Sequence, residues 1–220
     1  SLSAWATAEP VLRSPLIPIA AALLAGATVL SLCLWWAGLA APVAAAACLA
    51  AELAFALPLR ARVRRVIGAV DAASAELGVL AHILTRLEYE RFSSPRLLEL
   101  GAMLASGGVP PSRRIAQLCR RIDLLDARRN QLFLPFSCLL LWGTQLACAI
   151  ESWRVAAGPS VPRWLEVVGE FEALSALAGY AWENPEDPFP DVVDEAGGPR
   201  FEADALGHPL IPRESCVRND

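Results

Sequence analysis

The chain has 220 residues, a net charge of −4, 55% hydrophobic content and a mean hydropathy of +0.42, which is high for a soluble domain. Its 19 basic residues are all arginine, so no Walker A loop, which needs a lysine to reach the β- and γ-phosphates, can be built from it. The six cysteines show no paired spacing and imply no disulfide framework, in keeping with a reducing compartment.

The hydrophobic excess is concentrated near the start. Between Leu16 and Leu59 the one charged residue is Glu52. Leu16 to Trp36 supplies the roughly 20 apolar residues that cross a bilayer, and Leu39 to Leu57 is a second such stretch. With Trp36-Ala37-Gly38 as the turn, residues 1–60 read as a transmembrane helical hairpin with spans at about 16–36 and 39–57. A signal peptide would have a shorter apolar centre and no second span behind it. Arg13 precedes the first span and Arg60, Arg62, Arg64 and Arg65 follow the second, so the positive-inside rule puts both ends in the cytoplasm. An ionisable residue inside a span is a functional suspect. For Glu52, near the Pro58–Arg60 boundary, snorkelling to the headgroups or pairing with an arginine is the simpler account.

Beyond the hairpin, Val63, Ile67, Val70, Leu77, Leu80, Leu84 and Leu87 recur at helical spacing and predict a long helix ending near Ser93-Ser94-Pro95. A short helix through Leu97, Leu100 and Leu104 closes at Gly107-Gly108, and the next opens after Pro110-Pro111 with Ser112 as N-cap. That helix carries Ile115, Leu118, Ile122, Leu125 and Leu132 on one face and Arg113, Arg114, Arg120, Arg121 and Arg128 on the other. The arginines read as a solvated face. The alternative is contact with phosphates of nucleic acid or lipid, which an arginine stripe binds without reading sequence.

Leu132 to Ile150 is a third uncharged run and by hydropathy a span candidate, a case that Pro135, Ser137, Gln145 and the flanking Glu151 and Arg154 weaken. Pro162 opens the last helix, whose stripe of Trp164, Leu165, Val168, Phe171, Leu174, Leu177 and Ala178 predicts burial. From Glu183 to Arg200 the prolines and Gly197-Gly198 predict a loop, and Phe201–Ala205 and Leu210–Ile211 are strand candidates. His82 and His208 have no metal-ligand spacing, and no H-x-x-x-H, C-x-x-C or G-x-S-x-G occurs, so no self-contained metal or nucleophile site is expected.

One succession near the end is more specific than its parts. Glu172-Ala173-Leu174-Ser175-Ala176-Leu177-Ala178 on a helix, an acidic proline-rich loop through Glu183-Asn184-Pro185 and Phe189-Pro190, then His208-Pro209-Leu210 and Asn219 resemble the junction of helical core and ATPase domain in the MutS family of DNA mismatch-repair ATPases. The resemblance covers about Trp164 to Asp220 most fully and extends over Val63 to Arg163. No Phe-x-Glu mismatch-reading motif is present, and a hairpin stands where a mismatch-binding region would precede the core. The chain is thus most similar to membrane-anchored MutS-like proteins of bacteria.

The resemblance implies a mainly α fold: the hairpin, a helical core or lever over residues 61–182, and the start of a truncated α/β ATPase domain over residues 183–220. It implies ATP and Mg as cofactors of a longer protein, none of them held by this piece, which stops short of the P-loop. It places Cys216, Val217, Arg218 and Asn219 near the adenine, makes Phe171 to Ala178 a buried helix docking the core onto the ATPase domain, and implies a homodimer through that domain. The expected location is the bacterial inner membrane with the helical body in the cytoplasm, DNA being a candidate partner. The competing expectation is a membrane-tethered helical scaffold with no catalysis. A transporter is less favoured, since two spans offer little pathway.

Overall fold

A computed structural model describes residues 1–105, 107–126, 134–192, 201–212 and 214–219. The chain is mainly helical, and the described residues contain no strand. They form two units, Ser1–Ala178 and Gly179–Asp220.

In the first unit a short helix α1 (Leu2–Thr7) leads to α2 (Leu16–Trp36), which turns back into α3 (Pro42–Tyr89). The turn lies where the sequence predicts it. Gly38 at φ 73° occupies the left-handed position, and Leu39 N–H donates to Leu34 O while Gly38 N–H donates to Trp35 O, both at 2.9 Å. This pair of bonds ends a helix with a glycine just past its cap. Pro42 then opens α3 at a position where a proline loses no hydrogen bond.

α2 and the first half of α3 are long and apolar enough to cross a membrane, and only 22% and 11% of their apolar windows are buried. A core helix of the same composition would be mostly covered. Leu23, Leu30, Val43, Leu53 and Leu57 stand exposed instead, and Trp35 and Trp36 are exposed at the turn. α2 packs on α3, and the residues that α2 buries are a line of small ones, Ala21, Ala25, Thr28 and Ser31. Small residues let helix backbones approach closely.

α3 runs for 48 residues, about 72 Å at 1.5 Å per residue. It passes through Pro58 and beyond residue 60 without a break, so the second apolar stretch and the long body helix are one element. Its buried residues Leu59, Val63, Val66, Val70, Ala73, Leu77, Leu80 and Leu84 alternate steps of four and three, the seam that packs along a neighbouring helix. That seam meets α5 (Pro111–Asp126) and α7 (Trp142–Ala157). α3 ends at Tyr89, four residues before the predicted Ser93, and α4 (Pro95–Ala105) follows.

Ser112 is not the N-cap of α5, because the helix has already begun at Pro111. Glu88, in the last turn of α3, accepts hydrogen bonds from Ser112 N–H at 2.9 Å and from its hydroxyl. A carboxylate on the amides of a helix N-terminus does the work of a cap and complements the helix dipole.

The third apolar run is two helices, α6 (Leu134–Leu139) and α7. They are split at Leu141, which takes the left-handed φ of 47°. Neither is long enough to span, and among the described residues only α2 and α3 qualify. α8 (Val161–Glu183) buries Val161, Trp164, Val167, Val168 and Phe171. Phe92 lies 5.1 Å from Phe171 between ring centres. Arg96 forks onto Glu170, with Nη2 to Oε2 at 2.7 Å, which holds the Glu170 carboxyl below the usual carboxylate range. The expected burial stops there: Leu177 is 53% exposed, and Ala173, Ser175, Ala176 and Ala178 are exposed too.

The second unit has no strand at Phe201–Ala205 or Leu210–Ile211 among its described residues. One isolated bridge joins Leu206 and Asn219, with Leu206 N–H to Asn219 O at 2.7 Å and the reverse bond at 3.1 Å. Pro209 and Pro212 lack ladder donors, and the residues between form turns, with Ile211 N–H donating to His208 O at 3.1 Å.

The segment before α2 folds back onto α7. Glu151 and Arg154 form an ion pair with side chains only 3% and 6% exposed. Arg154 Nη2 donates to Glu151 Oε2 at 3.0 Å and to Glu9 O at 2.9 Å, while Glu151 Oε2 accepts Val11 N–H at 2.7 Å. Trp5 stacks on Trp153 at 6.4 Å, and a Cβ on Gly158 would meet Ala6 O at 2.2 Å, so only glycine lets α1 lie this close. Replacing Arg154 with alanine leaves Glu151 as a buried unpaired charge, and thermal or denaturant unfolding in detergent should show a loss of about 3 to 5 kcal/mol.

Candidate functional site

Three groups carry the chemistry that the sequence singles out. The first is the arginine face of α5, which the structure divides. Arg114 Nη2 donates to Gly107 O at 2.9 Å and closes the turn between α4 and α5. Arg121 Nη1 donates to Ala149 O at 2.6 Å and straps α5 to α7. The strap is reinforced by Trp153 Nε1 to Arg114 O at 2.8 Å and Trp142 Nε1 to Leu124 O at 2.9 Å. Arg113 and Arg120 are exposed, and Arg128 lies outside the described residues. The stripe offers two arginines to an external anion, and the other two described ones are structural.

The second group is the terminal one, read by itself. Cys216 is half-buried with its sulfur against Gly207, where a Cβ would sit 3.1 Å away. Val217 is 81% exposed, and Arg218 and Asn219 are exposed. Asn219 acts through its backbone, in the bridge to Leu206. His208 Nδ1 accepts Leu210 N–H at 3.2 Å, holding its own turn. Cys216, Val217 and Asn219 share one short loop.

The third is Glu52. It is 4% exposed and its Oε1 has no hydrogen-bond partner, so it neither snorkels nor pairs with an arginine. Helical phase explains this: Ala45, Glu52 and Leu59 are spaced by seven, are all buried, and place Glu52 on the upstream continuation of the α3 seam. An exposed collar begins eight residues on. Arg60, Arg62, Arg64 and Arg65 all face outward, at the end of the apolar half of α3.

Two thiols, the buried Cys148 and the half-buried Cys119, are held in the protonated form that is a poor nucleophile. Burial and then the Glu151 carboxylate push Cys148 up to about 11, and burial with Asp123 raises Cys119. Among the described residues no group of three or more His, Cys, Asp or Glu side chains could hold a metal ion. An open groove of about 690 Å³ lies between the end of α3, α4 and the start of α5, with Glu88, Arg91, Phe92 and Leu98 in its wall. The sequence reading missed Glu88, the Glu151–Arg154 pair and the Arg96–Glu170 fork. Of these only the i, i+3 spacing of Glu151 and Arg154 is a local signal.

No protein-family model matches the chain, and no curated protein or solved structure matches it either.

The division of the arginines is testable. Arg121→Ala removes a charged donor from Ala149 O and should cost about 1.5 to 3 kcal/mol, whereas Arg120→Ala should stay within about 0.5 kcal/mol of the parent. Thermal melts of the two variants compare them directly, and equal losses would contradict the assignment.

Proposed function

We propose that the chain is the membrane-tethered helical part of a MutS-like ATPase, in which a hairpin anchors a helical body that couples nucleotide state to a partner. The observation that carries the anchor is the exposed apolar surface of α2 and the first half of α3. The coupling role is supported by α3 itself, since its apolar half and its core seam belong to one continuous helix. A displacement in the body would then be felt at the membrane without an intervening joint.

The link to an ATPase rests on the sequence succession from Glu172 to Asn219. In this reading ATP and Mg bind largely beyond the chain described, with Cys216, Val217 and Asn219 on the adenine side. The small exposed residues Ala173, Ala176 and Ala178 form the surface that receives the ATPase domain, through which the protein dimerises. The arginine collar faces the cytoplasmic side of a bacterial inner membrane, and Arg113 and Arg120 are the side chains offered to DNA or to another phosphate-bearing partner. A second reading, a tethered helical scaffold without catalysis, is favoured by the terminal residues, which show a single bridge where an ATPase sheet would begin.

Fractionation tests the anchor and the coding sequence tests the ATPase. The protein should sediment with membranes and resist alkaline carbonate extraction; recovery in the soluble fraction would end the anchor reading. A G-x-x-x-x-G-K-[ST] motif is expected shortly after Asp220, and its lack would leave the scaffold.

A further inference from the structure

α2 is 21 residues long, about 31 Å at 1.5 Å per residue, and the hydrocarbon core of a bilayer is about 30 Å thick. If α2 crosses, it has no turns to spare. A short apolar segment packed against its flank is then placed beside lipid.

α6 is packed on both α2 and α7. Its outer side carries Pro135, Phe136, which is 58% exposed, and Cys138. In sequence the nearest charges are Arg129 before it and Glu151 after it, so α6 and the break behind it carry no charge of their own.

The backbone break behind α6 is built for a place without water. Leu140 N–H donates to Phe136 O at 2.9 Å and Leu141 N–H to Cys138 O at 3.1 Å. The carbonyl of Leu141 accepts Thr144 N–H at 2.9 Å and Gln145 N–H at 3.0 Å. The carbonyl of Leu140, freed by the break, is taken by the Gln145 side chain at 2.8 Å. Irregular backbone at membrane depth survives only when its polar groups are satisfied inside the protein. Gln145 has that job, which accounts for a lone amide side chain in an otherwise apolar run.

We propose that Leu134–Leu141 is a re-entrant element that enters the bilayer beside the first span without crossing it and rests its Phe136 edge on lipid acyl chains. With six residues, α6 covers about 9 Å, so it enters one leaflet and returns through α7. The inference depends on the hairpin being in the membrane, and the test separates the two.

The full chain is reconstituted in vesicles of phosphatidylcholine and phosphatidylglycerol with one nitroxide-labelled cysteine at a time and the other native cysteines replaced. Cys138 reports on α6, Leu23→Cys on the exposed middle of α2, and His82→Cys on the exposed outer part of α3. Collision with oxygen, which concentrates in lipid, is compared with collision with a water-soluble nickel chelate. The inference expects Cys138 to match Leu23→Cys, oxygen-accessible and protected from nickel, with His82→Cys reversed. Nickel access at Cys138 beside nickel protection at Leu23→Cys would overturn the α6 inference and leave the hairpin standing. Nickel access at Leu23→Cys would remove the hairpin and this inference with it.

Discussion

A buried arginine–glutamate pair on α7 sets the geometry of the molecule. Arg154 and Glu151 together bind Glu9 O and Val11 N–H, so the segment preceding α2 is held against the same helices that follow the apolar half of α3. Both ends of the hairpin are thereby fixed on one side. Arg13 and the collar from Arg60 to Arg65, which the positive-inside rule assigns to one compartment from charge alone, flank those two ends. A pair of this kind adds little net stability compared with apolar residues of the same shape, but it penalises every arrangement in which its members are parted. Gly158 and the Trp5–Trp153 stack make the same docking a matter of shape as well as charge.

α3 is the spine on which the rest is assembled. Its steps of three and four give one seam, and the helix packs on α2, α5 and α7. Because the phase is shared, the residue at position 52 points inward whatever its type. Glu52 is buried by helical register and not by a partner, which is why its Oε1 is unpaired. At the far end Glu88 of the same helix caps α5, so the position of the arginine-bearing helix is set by α3 at its last turn.

Much of the helical order was legible in the sequence because it is local: apolar spacing marked the core face of α3 and α5, and glycine marked the hairpin turn at Gly38. The errors are long-range. Ser112 has the residue type of an N-cap, but a carboxylate 24 positions away supplies the cap. Arg114 and Arg121 fall on the polar face of a helical wheel, yet carbonyls at Gly107 and Ala149 claim them. Apolar residues near Phe201 and Leu210 have strand-like composition, but a strand needs a neighbour to pair with, and the described tail provides one bridge. In the run from Leu132 to Ile150 hydropathy is blind to the break at Leu141. Gln145, which argued against a span, is the residue that seals it.

The central claim, that both ends of the hairpin lie on the same side because α1 is clamped to the helical body, has a direct measurement. Ala4→Cys and His82→Cys, each in a background without the native cysteines, can be exposed to a membrane-impermeant maleimide in sealed vesicles of one orientation, before and after permeabilisation. The account predicts that the two positions are labelled together, both accessible in one vesicle orientation and both protected in the other. Labelling of one position from outside while the other waits for permeabilisation would place the ends on opposite sides and contradict it.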